Sequence, residues 1–247
     1  MERSRWLAED ADMYSALLPE AELALRETIE LARSLGTSID DTLPPREQLL
    51  ALGRAWEVDF AWMHPDGHGT HRLIGGVVCF PSSWALRDKL GRPMSEVHSP
   101  VPGLNEALAR NIETFFARQE PGQAWTRENV SYSRDAELNH HPSRLVRPLD
   151  ATITREEVFI RLEHQLLLKL SNSGSILFGI RVEVVPLTQL MQDSSAVVRL
   201  TRLLSTISPA AAAYKGMTEV RARLVSLLRE VTAECPPELL PSKSGDS

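Results

Sequence analysis

Cysteine is scarce in this sequence, with 2 in 247 residues, Cys79 and Cys235. Neither belongs to a Cys-x-x-Cys pair, so the spacing predicts neither a zinc knuckle nor an iron–sulfur cluster. Two cysteines in a chain of this length also do not indicate a disulfide framework. Cys79 lies in the apolar run 75–80, where a cysteine is usually a small buried apolar group. A thiolate ligand to a metal is the alternative for Cys79.

Long apolar runs and clusters of one charge are also missing. No run of about 18 apolar residues is present, so we expect no membrane span. The formal net charge is -6 and no stripe is rich in Lys and Arg, which makes nucleic acid an unexpected partner. The segment 1–12 is mixed in charge and has no apolar signal core. We therefore expect a cytoplasmic protein.

The sequence motifs of several common enzyme classes are absent. We find no Gly-x-Ser-x-Gly elbow, Walker loop or Gly-x-Gly-x-x-Gly fingerprint, so a serine hydrolase, a P-loop enzyme and a nucleotide-binding dehydrogenase are unsupported. What is present is an ordinary globular composition, 43% hydrophobic and 24% charged. A chain of this length can bury a full core and still line a pocket with apolar side chains.

Hydrophobic periodicity predicts helices at both ends of the chain and strands between them. The predicted helices are 11–36, 45–56, 104–118, 188–206 and 217–233. The predicted strands are 59–63, 72–80, 125–133, 158–170 and 175–187. Turns at 65–67 and 171–174 join two pairs of these strands into hairpins. The order indicates an α+β fold built on an antiparallel sheet, with short inserted helices and flanking terminal helices.

No internal repeat or linker divides the chain. We therefore expect one domain over 1–235 and a disordered tail over 236–247.

Three groups of histidines are candidate metal ligands. His64, His68 and His71 have a spacing that can bind zinc, but they surround a predicted hairpin tip, where solvated histidines are the alternative. His98 stands beside a Pro-Val-Pro-Gly turn that holds its side chain in one direction; a structural or surface histidine is the alternative there. His140 and His141 are adjacent, so they cannot readily share one facial metal site.

Arg161, Glu163 and Gln165 alternate along the predicted strand 158–170 and therefore share one face of it. They are flanked by Ile160, Leu162 and Leu166. Three polar residues on one face predict either a solvent-exposed face or the polar wall of a cavity, and the sequence leaves both open.

Five stretches together resemble the haem-dependent oxidative N-demethylase family, catalytic haem-binding alpha subunit. They occur in the family's order over about residues 45–225. The stretches are Asp59-Phe60-Ala61-Trp62-Met63, Val78-Cys79-Phe80-Pro81-Ser82-Ser83-Trp84 with Lys89-Leu90-Gly91-Arg92-Pro93, Val97-His98-Ser99-Pro100-Val101-Pro102-Gly103, Arg161-Leu162-Glu163-His164-Gln165-Leu166 and Tyr214-Lys215-Gly216.

The resemblance implies a PAS-like fold around haem b, with a histidine as axial ligand of the iron. It implies oxidative removal of an N-methyl group from a small secondary amine, with electrons from separate redox partner proteins. By this resemblance His98 is the axial-ligand candidate. Arg161 and Glu163 are candidates for pocket or propionate contacts, with Glu163 orienting the amine.

Three cations, Arg87, Lys89 and Arg92, are candidates for pairing with the haem propionates, since a cation beside a carboxylate offsets its charge. No flavin, NADPH or iron–sulfur site is visible in the chain. An external electron donor or peroxide would therefore supply the oxidation.

The chain departs from the family pattern at two positions. The family often has Arg-x-Asn-Trp where this chain has Val130 in place of Trp, and Arg-x-Glu-Arg where this chain has His164 in place of the last Arg. These changes suggest a substrate other than dimethylamine, such as a larger amine or an amino acid, and a reaction that could stop at hydroxylation or N-oxygenation. A haem-PAS gas sensor without turnover, or a haem-free binding domain, are the rival hypotheses.

Overall fold

The computed structural model describes residues 2–97 and 109–234, and these form an antiparallel sheet with helices on both faces. Its strands are β1 (Ser15–Leu17), β2 (Asp59–Pro65), β3 (His71–Val77), β4 (Ala124–Ser133), β5 (Phe159–Lys169) and β6 (Ile176–Pro186). Their order across the sheet is β1-β3-β2-β6-β5-β4, so that β4 lies at one edge. This arrangement makes β5 an inner strand between β4 and β6.

Helices lie before β1, between β1 and β2, between β3 and β4, and after β6. They are α1 (Glu2–Glu9), α2 (Ala11–Tyr14), α3 (Glu22–Ser34), α4 (Pro45–Ala55), α5 (Leu86–Lys89), α6 (Met94–Val97), α7 (Ala109–Arg118), α8 (Leu187–Leu190), α9 (Ser194–Thr206), α10 (Pro209–Tyr214) and α11 (Arg221–Glu234). Single 3-10 turns occur at Pro19–Ala21 and Arg155–Glu157. Within the described residues, no helix is both long and apolar enough to cross a membrane.

The predicted α+β class and both predicted hairpins are confirmed. β2 pairs with β3 and β5 pairs with β6, each antiparallel. The PAS-like assignment stays a prediction, and so does the single domain over 1–235. The predicted tail lies outside the described residues.

The prediction of one helix over 11–36 is wrong. The chain instead forms α2, the strand β1, a 3-10 turn and α3. β1 pairs with β3, Ser15 opposite Val77 and Leu17 opposite Gly75. Leucines at helical spacing cannot reveal this pairing, because a strand at a sheet edge is decided by its tertiary neighbour rather than by local propensity.

The predicted helix 188–206 is divided into α8 and α9. The division falls at Asp193, whose side chain accepts hydrogen bonds from the backbone N–H groups of Ser195 and Ala196 and so caps the start of α9. An N-cap carboxylate satisfies donors that the first turn of a helix leaves free. The short helix α10 was not predicted.

Gly76 allows β3 to lie closely between β1 and β2. Its φ of +148° is one that side-chain-bearing residues rarely adopt, and a Cβ atom at this position would overlap the carbonyl oxygen of Phe60. Because the obstacle is backbone, no rotamer change could relieve it. The glycine is therefore required by the packing of the sheet.

The two faces of the sheet are covered by different elements. On one face, the N-terminal helices pack on Phe60 and Trp62, and the C-terminal helices pack on Ile160. On the other face, a third apolar cluster joins Ala61 and Met63 to side chains of α5, α6 and α7. This third cluster lies on the face to which Arg161, Glu163 and Gln165 also point, since Leu167 of the same strand belongs to it.

Candidate functional site

A row of polar side chains, which we call the polar wall, runs along β4 and β5. It consists of Arg161, Glu163 and Gln165 together with their register partners on β4, which are Ser131, Asn129 and Arg127. The three β5 residues are only 1%, 7% and 6% exposed. The structure therefore excludes a solvent-exposed face at β5, whereas Arg127 on β4 is exposed and lies at the rim of the polar wall.

Glu163 is the centre of the hydrogen-bond network in the polar wall. Its Oε2 accepts from Gln165 Nε2 at 2.7 Å and from Asn129 Nδ2 at 3.2 Å. Gln165 Oε1 in turn accepts from Arg127 Nε at 2.6 Å. The side-chain amides thus connect the buried carboxylate to a cation at the rim, and they fix the position of the carboxylate on the wall.

Lys215 reaches this network from the C-terminal helices. Its Nζ donates to Asn129 Oδ1 at 3.0 Å and to the carbonyl oxygen of Val130 at 2.7 Å. Because β4 is an edge strand, a cation that caps one of its carbonyls also covers part of an otherwise unpaired edge. Lys215 therefore couples the C-terminal helices to the polar wall.

Arg161 is a fully buried cation whose described partners are neutral. Its Nη1 donates to the carbonyl oxygen of Glu137 at 2.5 Å, and its Nη2 donates to that of Leu138 at 2.9 Å and to Ser82 Oγ at 3.5 Å. Its Nε is buried and has no hydrogen-bond partner among the described residues. The opposite residue on β4, Ser131, has a buried Oγ that also lacks a partner in this part of the chain. Unsatisfied buried polar atoms of this kind are uncommon and call for a reason.

The charges around Glu163 are unbalanced. Burial lowers the pKa of Arg161, of Arg127 and of Lys215, because a low-dielectric surrounding disfavours a charged group, and in each case the carboxylate of Glu163 partly offsets that effect. Asp135 also acts on Arg161, and it lies 2.9 Å from His140, whose own pKa is lowered by burial and by Arg161. Among the described residues, three cations therefore face two carboxylates, and this excess of positive charge suits a ligand that brings negative charge.

Arg87, Lys89 and Arg92 are grouped near β3, separated from Arg161 and Glu163 by the strands β2 and β6. Arg87 is half exposed and pairs with Asp12. Lys89 donates from Nζ to the carbonyl oxygen of Val97 at 2.6 Å. The pKa of Lys89 is lowered by burial, with a smaller contribution from nearby Arg92. The predicted site residues thus form two separate groups.

His98 lies outside the described residues. Lys89 holds the carbonyl of Val97, the residue immediately before it. This contact is next in sequence to the candidate ligand His98. The sequence analysis did not predict it.

His71 is a buried histidine whose ring is paired with a carboxylate. Its Nδ1 lies 2.6 Å from Glu113 Oε2, and its ring meets the edge of Phe116 at a centroid distance of 5.0 Å. A carboxylate on one ring nitrogen fixes the tautomer and orientation of a ligating histidine. Phe116 belongs to the apolar cluster on the polar-wall face. His71 is therefore the alternative ligand candidate among the described residues.

Three further histidines have local side-chain partners, and His68 has an exposed side chain. His64 Nδ1 lies 2.9 Å from Ser175 Oγ, and His68 is exposed at the hairpin tip. His140 Nε2 lies 2.9 Å from Asp135 Oδ1, and His141 Nδ1 lies 2.8 Å from Ser143 Oγ. No cluster of three metal-ligating side chains occurs in residues 2–97 and 109–234.

Cys79 is a buried thiol of the N-terminal apolar cluster. Burial raises its pKa to about 12, and the neighbouring carboxylate of Asp59 acts in the same direction. The thiol is therefore protonated at neutral pH. This environment favours the small apolar role over the thiolate-ligand alternative.

Both departures from the family pattern face away from the polar wall. His164 is on the opposite face of β5, partly exposed between Glu128 and Glu183. Val130 packs with the C-terminal cluster and lines a cavity of about 230 Å³, smaller than the about 300–1,000 Å³ of typical ligand sites. Neither substitution changes the polar wall directly, so they do not by themselves indicate a different substrate.

The chain was compared with models of known protein families. Residues 32–225 match haem-dependent oxidative N-demethylase, alpha subunit-like. The matched range covers more than half of the chain and includes the sheet from β2 to β6, the polar wall and Lys215.

Proposed function

The chain belongs to the haem-dependent oxidative N-demethylase, alpha subunit-like family, and from this premise we propose that it binds haem b and oxidises an amine. The family description names a haem-dependent oxidative enzyme and gives the gas-sensor alternative no support. The reaction we propose is removal of an N-alkyl group, or a related oxidation at the nitrogen or the adjacent carbon.

The described residues fit such a cofactor in charge and polarity. Haem is an apolar macrocycle that carries two propionate carboxylates. The face that holds the polar wall offers an apolar cluster, and both residue groups there carry cations in excess of carboxylates. Lys89 and Arg92, with Arg87 at the surface, would hold the propionates, and His98 would ligate the iron. When bound, the haem would supply the activation of O2 or peroxide.

Glu163 would bind the amine. A protonated amine prefers a carboxylate partner, and a charge-assisted hydrogen bond in a buried place is stronger than in water. Gln165 and Asn129 hold the Glu163 carboxylate in place through one oxygen. The carboxylate would orient the N-alkyl group. Electrons would come from a separate redox partner protein, or the oxidant would be peroxide.

The first test is the visible spectrum of the full chain expressed with ample haem, beside His98→Ala, His71→Ala and His140→Ala. A Soret band that weakens or shifts only in His98→Ala supports the proposal as stated. A Soret band that changes only in His71→Ala would support haem binding but make His71, rather than His98, the axial ligand. No Soret band in the parent protein contradicts the proposed function.

The second test addresses Glu163. Glu163→Gln should retain the Soret band and bind amines about tenfold more weakly or worse, since a hydrogen bond to a charged group contributes about 1.5–3 kcal/mol. Arg181→Gln, which changes an exposed cation paired with Glu57, is the matched control. Unchanged amine affinity and turnover in Glu163→Gln would remove Glu163 from the site.

A further inference from the structure

Two buried polar atoms of the polar wall lack hydrogen-bond partners within residues 2–97 and 109–234, and they belong to residues directly opposite each other. Arg161 Nε is a donor, and Ser131 Oγ can donate through its hydroxyl. Directly opposite residues in an antiparallel pair have Cβ atoms about 4.5–5.5 Å apart. The two side chains extend from the same face of the sheet, and a carboxylate between them would match two donors of which one is a guanidinium.

The position of Glu163 in the polar wall further limits which ligands would fit. Glu163 lies two residues from Arg161 on the same face, a separation of about 7 Å along a strand. In an amino acid, the ammonium and the carboxylate are attached to the same carbon. With a hydrogen bond of about 2.8 Å at each end, the distance from the partner of the ammonium to the partner of the carboxylate is similar. The polar wall thus presents a carboxylate, and a guanidinium whose Nε has no partner among the described residues, at a spacing that complements a zwitterion.

Two sources could supply the carboxylate: the substrate or a haem propionate. Glu163 argues for the substrate, because a carboxylate beside a propionate would repel it, whereas it attracts the ammonium of an amino acid. The separate cations Lys89 and Arg92 form no ion pair within the described residues and remain for the propionates.

We propose that the substrate class is an N-alkyl amino acid, with its amine on Glu163 and its carboxylate on Arg161 and Ser131. This inference rests on the proposed function for its chemistry, although the binding site can be tested without turnover. It adds a specificity that simple dialkylamines would not use.

The experiment is calorimetric titration of the full chain with amino acids and their decarboxylated counterparts. The probe pairs are sarcosine with dimethylamine, and N-methylphenylalanine with N-methylphenethylamine. The variants are Arg161→Gln, Ser131→Ala and Glu163→Gln, and Arg181→Gln on the exposed surface is the control. Ser131→Ala is included because Arg161 also holds two loop carbonyls, so that Arg161→Gln could fail to fold.

The parent protein should bind the amino acid at least about tenfold more tightly than its counterpart in one pair or both. Arg161→Gln should abolish this preference and Ser131→Ala should reduce it about threefold, while Glu163→Gln weakens both members of a pair equally. Equal or weaker binding of the amino acid in both pairs overturns the inference. The inference is also overturned if Arg161→Gln loses the Soret band while Ser131→Ala keeps the preference for the amino acid. In that case the carboxylate bound by Arg161 would be a haem propionate.

The two proposals fail separately. If the protein oxidises amines but shows no preference for a carboxylate, the proposed function is supported and the zwitterion site is contradicted. If amino acids bind in a way that depends on Arg161 but the protein has no Soret band, the zwitterion site is supported and the proposed haem-dependent oxidation is contradicted.

Discussion

The ammonium of Lys215 lies 3.0 Å from Asn129 Oδ1, across 86 residues of sequence. The same amide donates from Nδ2 to Glu163 Oε2 at 3.2 Å. The Asn129 side chain therefore links Lys215, beside the C-terminal helices, to the buried carboxylate of Glu163 in the polar wall. The contact also satisfies the edge carbonyl of Val130.

Replacing Lys215 by Met should destabilise the protein by about 1–3 kcal/mol, because Asn129 Oδ1 and the Val130 carbonyl lose a buried donor. The effect should be coupled to Glu163. In a double-mutant cycle by urea unfolding, Lys215→Met and Glu163→Gln should deviate from additivity by about 0.5 kcal/mol or more. Lys169→Met, six residues along β5 from Glu163, is the control and should be additive. Additivity for Lys215 would show that Asn129 does not couple the two.

Filling the cavity beside Val130 should stabilise the protein. Val130→Phe places additional apolar volume where the family often has Trp, and cavity filling commonly contributes about 0.5–2 kcal/mol. Val130→Ala should have the opposite effect, because it enlarges the cavity. The measurement is the free energy of unfolding of both variants in urea. Destabilisation by Val130→Phe would mean that the cavity is not available in solution.

Removing the hydroxyl of Tyr132 should also stabilise the protein. The hydroxyl is buried with no hydrogen-bond partner in the described part of the chain, and burial raises the pKa of this tyrosine. An unsatisfied buried group costs about 1–3 kcal/mol, so Tyr132→Phe should gain roughly 1 kcal/mol. Tyr14→Phe is the matched control and should lose stability, since the Tyr14 hydroxyl accepts from Asn139 at 2.9 Å. Equal losses in the two variants would contradict this reasoning.

Acid should weaken the protein through the group around Arg134, which donates to Asp150 at 2.6 Å and Glu157 at 2.7 Å. Hydrogen bonds from Thr152, and then from Arg134, lower the pKa of Asp150 to about 2, and Arg134 is the largest cause of the lowered pKa of Glu157. A carboxyl whose pKa is lower in the folded state stabilises above its unfolded pKa, about 4, and loses this contribution as the pH falls through its folded pKa.

The parent protein should therefore lose stability between about pH 4.5 and 2. Arg134→Gln should be less stable at pH 7 and lose less over that range, so that the two curves converge in acid. Denaturant midpoints from pH 7 to pH 2 measure this, with Thr152→Val as a second variant that flattens the lower part of the curve. Parallel curves for parent and Arg134→Gln would count against the assignment.

Local sequence patterns predicted the elements of the fold well. The alternation in 158–170, the turn residues at 171–174 and Asp66-Gly67 were sufficient for both hairpins, because strand period and turn chemistry are properties of neighbouring residues. β1 was missed, since its pairing with β3 depends on residues about 60 positions away and not on its own spacing.

The sequence by itself determined that Arg161, Glu163 and Gln165 share one face, because alternate residues of a strand always do. Only the tertiary structure decided that this face is buried, because what covers it comes from elsewhere: Ser82, and the carbonyls of Glu137 and Leu138. The same holds for Lys215, whose partner Asn129 is brought near by helix packing. Periodicity fixes the direction of a side chain, whereas the environment it meets is set by long-range packing.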